Sequence, residues 1–354
     1  MKILILTSSY NMQLNFRREF MKHILDKNHQ LDIYSDKLLE HKIFPSKKHN
    51  LYSFSSNLLY LLFDFFKIFK LINLDHKVVF NYTVRNCLIS SFLTILKLNN
   101  KKNIYFIAGL GRSFKQNSII SKFIVRIVAH ASRINESELV VLNNRDNDIF
   151  KYYGANPIKI NSEGLNLNLF KFTKRKKTQN KFRIVFLGRV IEEKGIFDVL
   201  KLADSFINDP NVQIDIFGDT SETPIKFLKS SKMYINLKIH GFTKDPLNEI
   251  INSDLVILPS KLNEGLPRIM LESFAVGRIC VAYNIPGCSD IYSFTDYQTN
   301  FLADSCEEFI QICKNIYLSN EDTYNNAALN LNNSVTVNHD LKTINKYLIN
   351  QLKF

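Results

Sequence analysis

Short runs of β-branched and aromatic residues alternate with stretches of helical periodicity, and this alternation begins twice along the chain. In the first half, Phe16, Phe20 and Ile24 mark one face of a helix between two predicted strands. The pattern stops near residue 161 and starts again at Phe182. Alternating strands and helices are typical of a parallel sheet that helices cover on both faces. The sequence therefore predicts an α/β protein with two Rossmann-like domains.

A length of 354 residues also favours two domains, because one hydrophobic core rarely serves more than about 250–300 residues. We predict an N-terminal Rossmann-like domain over residues 1–170, a linker over 171–181 and a second Rossmann-like domain over 182–335. A final helix over 336–354 is expected to pack back on the first domain. If the two sheets face each other, their switch points line one cleft, where we expect the ligand.

The basic excess of the chain lies in its first half. Residues 1–175 carry 27 basic and 12 acidic side chains, a net charge of +15, whereas residues 176–354 carry 19 and 21, a net charge of −2. Such asymmetry indicates an anionic partner, either a membrane surface, a phosphorylated substrate or nucleic acid. A solvated lysine-rich surface is the alternative. The basic run at 174–177 is interpreted as solvated linker.

An apolar segment at 58–72 is shorter than the ~20 residues that a membrane span needs. It carries Lys67 and Lys70 three residues apart, so it is predicted to be a helix that either packs in the core or contacts a membrane surface. The five cysteines form no C-x-x-C pair, and the first residues read as a strand rather than a signal peptide. We therefore expect a cytoplasmic protein.

Chemistry is indicated most strongly where a strand at 255–260 leads into the turn Glu264-Gly265-Leu266 and then a helix that starts near Pro267. The first N–H groups of such a helix, at Arg268 and Ile269, form a natural phosphate site. Glu264 and Glu272 border this site, eight residues apart, and could accept hydrogen bonds from sugar or ribose hydroxyls. Alternatively, Glu272 only pairs with Arg268 on a surface helix.

A second charged turn follows the strand that begins at Phe182. Gly188 and Arg189 stand at the strand end, and Lys194 and Gly195 enter the next helix. Two cations that face a helix N-terminus can clamp a diphosphate and stabilise it as a leaving group.

Together, the segments GRVIEEKG and EGLPRIMLE resemble the G-R-x(4)-K-G turn and the E-x7-E motif of family 4 glycosyltransferases, which have the GT-B fold. FIAGLGRSF, LVVLNNRD and EGLNLNLF extend the resemblance over nearly the whole chain. It is closest to bacterial enzymes that extend lipid-linked oligosaccharides, capsules or O-antigens.

The resemblance implies a role for each motif residue. Arg189 and Lys194 would bind the donor diphosphate, Glu264 the transferred sugar and Glu272 the ribose. The other expected donor-site residues lie in the same turns or at the ends of neighbouring strands: Gly188, Phe217, Gly218, Phe242, Thr243, Gly265, Leu266, Pro267, Arg268 and Ile269.

The acceptor is expected in the N-terminal domain. The first βα turn has no glycine, which differs from many family members, so Asn11 and Arg17 would act there through side chains. For Arg17 a solvated helix start is the alternative. Gly109, Gly111 and Arg112 follow a strand and offer close backbone approach and a cation, although an ordinary tight turn would explain them too.

The implied reaction is a retaining, metal-independent hexosyl transfer (EC 2.4). A hexose or N-acetylhexosamine would move from a nucleotide-diphosphate sugar, with UDP as the expected nucleotide, to a polyprenyl-diphosphate-linked or oligosaccharide acceptor in capsule, O-antigen or related glycan biosynthesis. We expect no cofactor and no nucleic-acid partner, and we place the protein peripherally on the inner face of an anionic cytoplasmic membrane.

The D-x-D sequence at 146–148 opens a helix and is interpreted as capping. The alternative function is a noncatalytic basic protein that binds membrane or nucleic acid.

Overall fold

The computed structural model describes residues 1–7, 10–35, 49–53, 61–110, 118–175, 181–262, 265–297 and 300–352. The chain divides into two compact units. Unit 1 comprises Met1–Glu163 and Ile344–Phe354, and unit 2 comprises Gly164–Thr343. Among the described helices, none combines the length and apolar character that a membrane span requires.

Unit 1 contains a parallel sheet of seven strands in the order β3-β2-β1-β4-β5-β6-β7. The strands are β1 (Lys2–Leu6), β2 (Gln30–Ser35), β3 (His49–Ser53), β4 (Val78–Tyr82), β5 (Lys102–Ile107), β6 (Glu138–Val141) and β7 (Ile158–Lys159). The helices are α1 (Tyr10–Asp26), α2 (Leu61–Ile72), α3 (Val84–Ile95), α4 (Ile119–Ala131) and α5 (Asn144–Tyr152). All five residues of β4 are buried, as expected for a parallel strand that is covered on both faces.

Side-chain caps fix where three of these helices begin. Thr83, Ser118 and Asn143 accept hydrogen bonds from the backbone N–H three residues later, at the starts of α3, α4 and α5. Each cap residue comes after a strand in the chain, namely β4, β5 or β6, so the caps set where the helix after that strand starts. Helix α2 buries Ile68 and Leu71 in the core, which agrees with the core-packing interpretation of residues 58–72.

Unit 2 contains a parallel sheet of six strands in the order β10-β9-β8-β11-β12-β13. The strands are β8 (Phe182–Leu187), β9 (Val212–Phe217), β10 (Leu237–Gly241), β11 (Leu255–Leu258), β12 (Cys280–Tyr283) and β13 (Leu302–Ala303). The helices are α6 (Ile196–Ser205), α7 (Ile225–Ser231), α8 (Pro246–Ile251), α9 (Arg268–Ala275), α10 (Pro286–Tyr292), α11 (Cys306–Leu318), α12 (Glu321–Asn338) and α13 (Leu341–Leu352), the last of which continues into unit 1.

The predicted α/β class with two parallel sheets is confirmed. Several short or polar elements were not predicted, namely β3, β7, β13, α10 and α12. Strand β3 (HNLYS) lacks an apolar run, and β7 and β13 have two residues each, so none carries a periodic signal.

The basic run that precedes unit 2's first strand is partly buried. Arg175 is 5% exposed, its guanidinium lies 4.0 Å from the centre of the Tyr324 ring, and its Nε lies 3.7 Å from an oxygen of Asp254. The interpretation of this run as solvated is therefore wrong for Arg175, although Lys174 is exposed. Residues 176–180 lie outside the described part of the chain.

Arg278, which is 2% exposed, organises the same region. Its guanidinium donates hydrogen bonds of 2.5–3.1 Å to the backbone carbonyl oxygens of Thr173, Ile251, Ser253, Val276 and Gly277. These carbonyls belong to the segment before β8 and to the ends of α8 and α9. One buried cation thus satisfies acceptors that helix ends leave without intrahelical partners.

We expect Arg278→Met to lower the free energy of unfolding by about 2–4 kcal/mol, because five carbonyl oxygens, three of them on buried residues, would lose the hydrogen bonds that the guanidinium donates. Urea unfolding of the whole chain, followed by circular dichroism, measures the change. Lys238→Met, at an exposed position of β10, serves as the control. Equal unfolding midpoints for the two variants would contradict the role given to Arg278.

Candidate functional site

Strand order places the two charged turns of unit 2 next to each other. Strand β8 pairs in parallel with β9 on one side and with β11 on the other. From β8 the chain proceeds outward to β9 and β10, then returns to β11 and continues in the opposite direction. The loops after β8 and β11 therefore diverge from adjacent strand ends, which is the switch point where open α/β sheets bind ligands.

Direct backbone contacts join these two loops. Gly195, which follows a 3₁₀ turn at Glu192–Lys194, has φ +76°, and a Cβ built on it would lie 1.9 Å from the carbonyl oxygen of Pro259. The Lys261 N–H donates a 2.9 Å hydrogen bond to the carbonyl oxygen of Glu193. Only glycine allows both the backbone conformation and the approach at position 195.

The ends of β8 and β9 approach closely in the same way. Gly218 has φ +155°, and a Cβ there would lie 1.7 Å from the carbonyl oxygen of Gly188. The Gly188 N–H donates to the carbonyl oxygen of Phe217 at 3.0 Å. Arg189 follows with an exposed side chain, and its charge contributes, after the Ser221 hydrogen bonds, to a lowered pKa of Asp219. The expected clamp residue Lys194 is half-buried.

Helix α9 begins at Arg268, with Pro267 as its N-cap residue and no capping side chain among the described residues. We expected the helix to begin near Pro267, so the start is predicted to within one residue. Gly265 is buried, and Leu266 and Ile269 are partly buried against the core of unit 2. Glu264 lies outside the described residues.

Glu272 accepts a 2.6 Å hydrogen bond from Nε of Arg268. Burial raises the pKa of Glu272, and the charge and hydrogen bond of Arg268 oppose that rise without cancelling it. The pairing that the sequence left open as an alternative role for Glu272 is thus present. It holds the carboxylate one turn inside the helix whose N-terminus borders the switch point.

At the ends of β9 and β10, an aromatic pair lies beside the carboxylate of Asp215. The rings of Phe217 and His240 stack with centres 4.5 Å apart, and Nε2 of His240 lies 2.7 Å from Oδ1 of Asp215. Phe217 is buried, so the exposed ring of this pair is His240. Phe242, one of the residues expected near the nucleobase, is 81% exposed, and the Thr243 hydroxyl accepts from the N–H of Asp245.

In unit 1, Arg17 is 7% exposed and pairs with Glu163. Its guanidinium carbon lies 3.9 Å from the centre of the Tyr82 ring and 4.7 Å from that of Phe106, at the ends of β4 and β5. The alternative of a solvated helix start is therefore wrong. Arg17 departs from helical geometry within α1 (φ −130°, ψ 15°), so the chain bends where this side chain turns inward.

The other expected acceptor residues are only partly described. Gly109 follows β5 with φ +139°, and the next N–H, of Leu110, donates to Oδ2 of Asp146 at 3.1 Å. Asn11 lies in α1, but its side chain is outside the described part, as are Gly111 and Arg112 entirely.

The D-x-D sequence at 146–148 stands at the start of α5. Asn143 is the N-cap residue, and its side chain accepts from the Asp146 N–H at 2.7 Å. Asp146 is therefore a buried first-turn residue that also binds the loop after β5. Among the described residues, no group of three or more His, Cys, Asp or Glu side chains is arranged to hold a metal ion.

Sequence reasoning missed a cluster at the carboxyl edge of unit 2. Lys261 Nζ and the Tyr283 hydroxyl lie 2.7 and 2.8 Å from Oδ2 of Asp198. These residues belong to neither motif, and their positions along the chain show no regular spacing. The available signal was that Lys261 follows the end of β11 by three residues, Tyr283 ends β12 and Asp198 lies in the first turn of the helix after β8.

The comparisons agree with this architecture. Residues 169–330, all of them in unit 2, match the family model described as glycosyl transferases group 1. This segment is therefore similar to the glycosyl transferases group 1 domain. A comparison with curated protein sequences gives no match.

Solved structures resemble the whole chain. Anabaena HepE in complex with UDP-glucose is 17% identical, with a TM-score of 0.76 and coverage of 100% of this chain and 99% of that one. A glycosyltransferase from Rickettsia africae is 18% identical (TM-score 0.74, coverage 99% and 97%). Sucrose-phosphate synthase from Thermosynechococcus elongatus is 12% identical (TM-score 0.78, coverage 100% and 98%). These likenesses show that the chain has the GT-B fold.

We expect Arg268→Met to raise the pKa of Glu272 further, because it removes the cation that opposes the effect of burial. Carboxyl ¹³C NMR titration measures the pKa, with the signal assigned by its loss in Glu272→Gln. Lys238→Met is the control and should leave the titration unchanged. An unaltered Glu272 titration in Arg268→Met would show that the pair does not set the charge of this carboxyl group.

Proposed function

We propose that this protein is a glycosyltransferase that uses a nucleotide-diphosphate sugar. The observation that carries the proposal is the contact between the loops after β8 and β11, because one of these loops carries Arg189 and Lys194 and the other leads to the N-terminus of α9. Both elements lie within the segment that matches the glycosyl transferases group 1 model. Cations that face a helix N-terminus suit a diphosphate, which carries the charge that both attract.

UDP is the proposed nucleotide. HepE, whose fold this chain shares, has been solved with UDP-glucose, with UDP and glucose, and with UDP. The nucleobase would lie at the ends of β9 and β10, where a Cβ on Gly241 would have no atom within 4 Å and Phe242 presents an exposed ring. His240, stacked on Phe217, adds a second aromatic surface there. The ribose would contact Glu272, and the transferred hexose or N-acetylhexosamine would contact Glu264.

The proposed reaction retains the anomeric configuration and uses no bound metal, as the resemblance to family 4 enzymes implies. The bond between the anomeric carbon and the diphosphate oxygen breaks, and the acceptor oxygen bonds to the same face of that carbon. The acceptor proton passes to the departing diphosphate oxygen. Arg189 and Lys194 stabilise the charge that develops on this leaving group, so no enzymic nucleophile is needed.

We propose that the acceptor is lipid-linked, or an oligosaccharide of a surface polysaccharide such as capsule or O-antigen, and that unit 1 binds it at an anionic membrane surface inside the cell. The exposed face of α4 supports this. Ile119, Ile120 and Phe123 are 85%, 72% and 52% exposed, and Lys122 and Arg126 are exposed beside them. Residues 118–135 include no acidic residue. Apolar side chains flanked by cations suit the interface of an anionic bilayer.

A noncatalytic basic protein that binds membrane or nucleic acid would also explain the charge of the first half. It would not explain why two loops of the nearly neutral second half meet at a switch point. The deciding experiment is mass-spectrometric screening of the purified protein against a panel of sugar nucleotides. Binding of a UDP-sugar is the expected result, and binding of none would remove the enzyme proposal.

We expect Arg189→Ala and Lys194→Ala each to lower the transfer rate about ten- to a hundredfold, which corresponds to the loss of a charge-assisted contact of roughly 1.5–3 kcal/mol. Neither side chain lies in a core, so the melting temperature should change little. Lys226→Ala and Lys229→Ala, on α7, are matched controls that remove exposed cations elsewhere in unit 2. Unaltered turnover in the Arg189/Lys194 double variant would refute the clamp.

We expect the whole protein to sediment with liposomes that contain anionic lipid, and salt to weaken this binding, because each cation near such a surface contributes about 1 kcal/mol. Ile120→Asp combined with Phe123→Asp should abolish sedimentation. Ile225→Asp combined with Met233→Asp, which alters exposed apolar residues of unit 2, should not. If the wild type fails to bind anionic vesicles at low salt, a soluble acceptor replaces the lipid-linked one.

A further inference from the structure

Asp198 binds side chains from two neighbouring strand ends of unit 2. It lies in the first turn of α6, three residues after Gly195, and its side chain is 4% exposed. Oδ2 accepts from Lys261 Nζ at 2.7 Å and from the Tyr283 hydroxyl at 2.8 Å. Lys261 follows β11 and Tyr283 ends β12. One carboxylate thereby connects the helix after β8 with the two strands on the other side of the switch point.

The carboxylate is ionised in this position despite its burial. Burial alone would raise the pKa of Asp198, but the hydrogen bonds from Lys261 and Tyr283 outweigh it, and the pKa lies below its ordinary value. A charge that is nearly removed from solvent requires such partners, because an unpaired one costs several kcal/mol. Lys261 is the cationic partner, and its side chain is 58% exposed, so its position is not imposed by packing around it.

Lys261 begins the stretch that leads to the expected donor site. From Lys261 to Pro267 the described residues form neither helix nor strand, and the stretch includes Gly265 and Pro267. Its first end is attached to the turn after β8 at two backbone points, namely the approach of Gly195 to Pro259 and the hydrogen bond from Lys261 to Glu193. The ion pair with Asp198 adds a third attachment, which is made by side chains.

We propose that Asp198 is a positioning residue for donor binding, which acts through the ammonium of Lys261 to hold the β11–α9 loop against the turn that carries Arg189 and Lys194. This inference rests on the proposed function for its effect on the donor, but the attachment itself does not. Asp198 in this role touches neither the diphosphate nor the sugar. It sets the distance between two groups of residues that must bind one diphosphate together.

The test compares Asp198→Asn, Lys261→Met and their double variant with the wild type. Asparagine keeps the shape and the acceptor for Tyr283 but removes the charge, and methionine keeps the stem of Lys261 but removes the ammonium. Lys261→Arg restores the cation, and Lys229→Met is the control for loss of an exposed lysine in unit 2. Isothermal titration with UDP, donor KM and kcat, melting temperature, and amide hydrogen exchange of peptides that span residues 259–267 are measured.

We expect each single variant to raise the UDP dissociation constant and the donor KM about three- to tenfold, in keeping with a pair of which one member is exposed. The UDP dissociation constant and donor KM of the double variant should be no higher than those of the more affected single variant, because both substitutions break the same interaction. The Lys261 N–H, which donates to Glu193, should exchange faster in both. Lys261→Arg should remain within about twofold of the wild type. Lys261→Met leaves the buried carboxylate without its cation, so it should lower the melting temperature more than Asp198→Asn, which removes the charge itself.

Two results would overturn the proposal: wild-type exchange of residues 259–267 in Lys261→Met, or independent, additive losses in the double variant. If exchange accelerates as expected while the wild type binds no sugar nucleotide, the attachment is correct and the proposed function fails. If UDP binds the wild type and both variants equally, the proposed function survives and the positioning role is lost.

Discussion

The candidate site depends on the parallel pairing of β8 with both β9 and β11. Because the strand order reverses between β8 and β11, the loops after them leave the sheet from adjacent positions and in different directions. Every contact that assembles the site follows from this placement, including those of Gly195 with Pro259 and of Lys261 with Glu193. The motifs are about 75 residues apart along the chain, yet the loops that carry them meet within hydrogen-bonding distance.

Buried charges recur at the ends of the elements rather than in the middle of the cores. Arg278 binds carbonyl oxygens at helix ends, Asp198 binds groups at strand ends, and Arg17 pairs with Glu163 over aromatic rings at the ends of β4 and β5. Each is nearly removed from solvent, and each has partners from segments that are distant in sequence. Since a buried charge is costly without partners, these groups penalise any arrangement in which those segments separate.

The two units share one sheet architecture but differ in net charge. Unit 1 carries most of the basic excess and exposes the apolar face of α4. Unit 2 is nearly neutral overall and carries Arg189 and Lys194 in the turn after β8. A protein that takes a soluble nucleotide sugar with one unit and an acceptor at a membrane with the other would need this division, because long-range attraction helps only the unit that approaches the bilayer.

The sequence by itself determined the fold class and the motif positions. Apolar runs predict buried strands such as β4, and apolar alternation predicts β9. Gly195 and Pro267 mark turns whose backbone tolerates few other residues. Short strands such as β7 and polar ones such as β3 carry no such signal. Only the tertiary structure decided that Arg175 and Arg17 are buried and that Lys261 reaches Asp198. Composition and periodicity describe neighbours along the chain, such as the pair of Arg268 and Glu272 four residues apart, whereas the other contacts join residues that are distant in sequence and that the fold brings together.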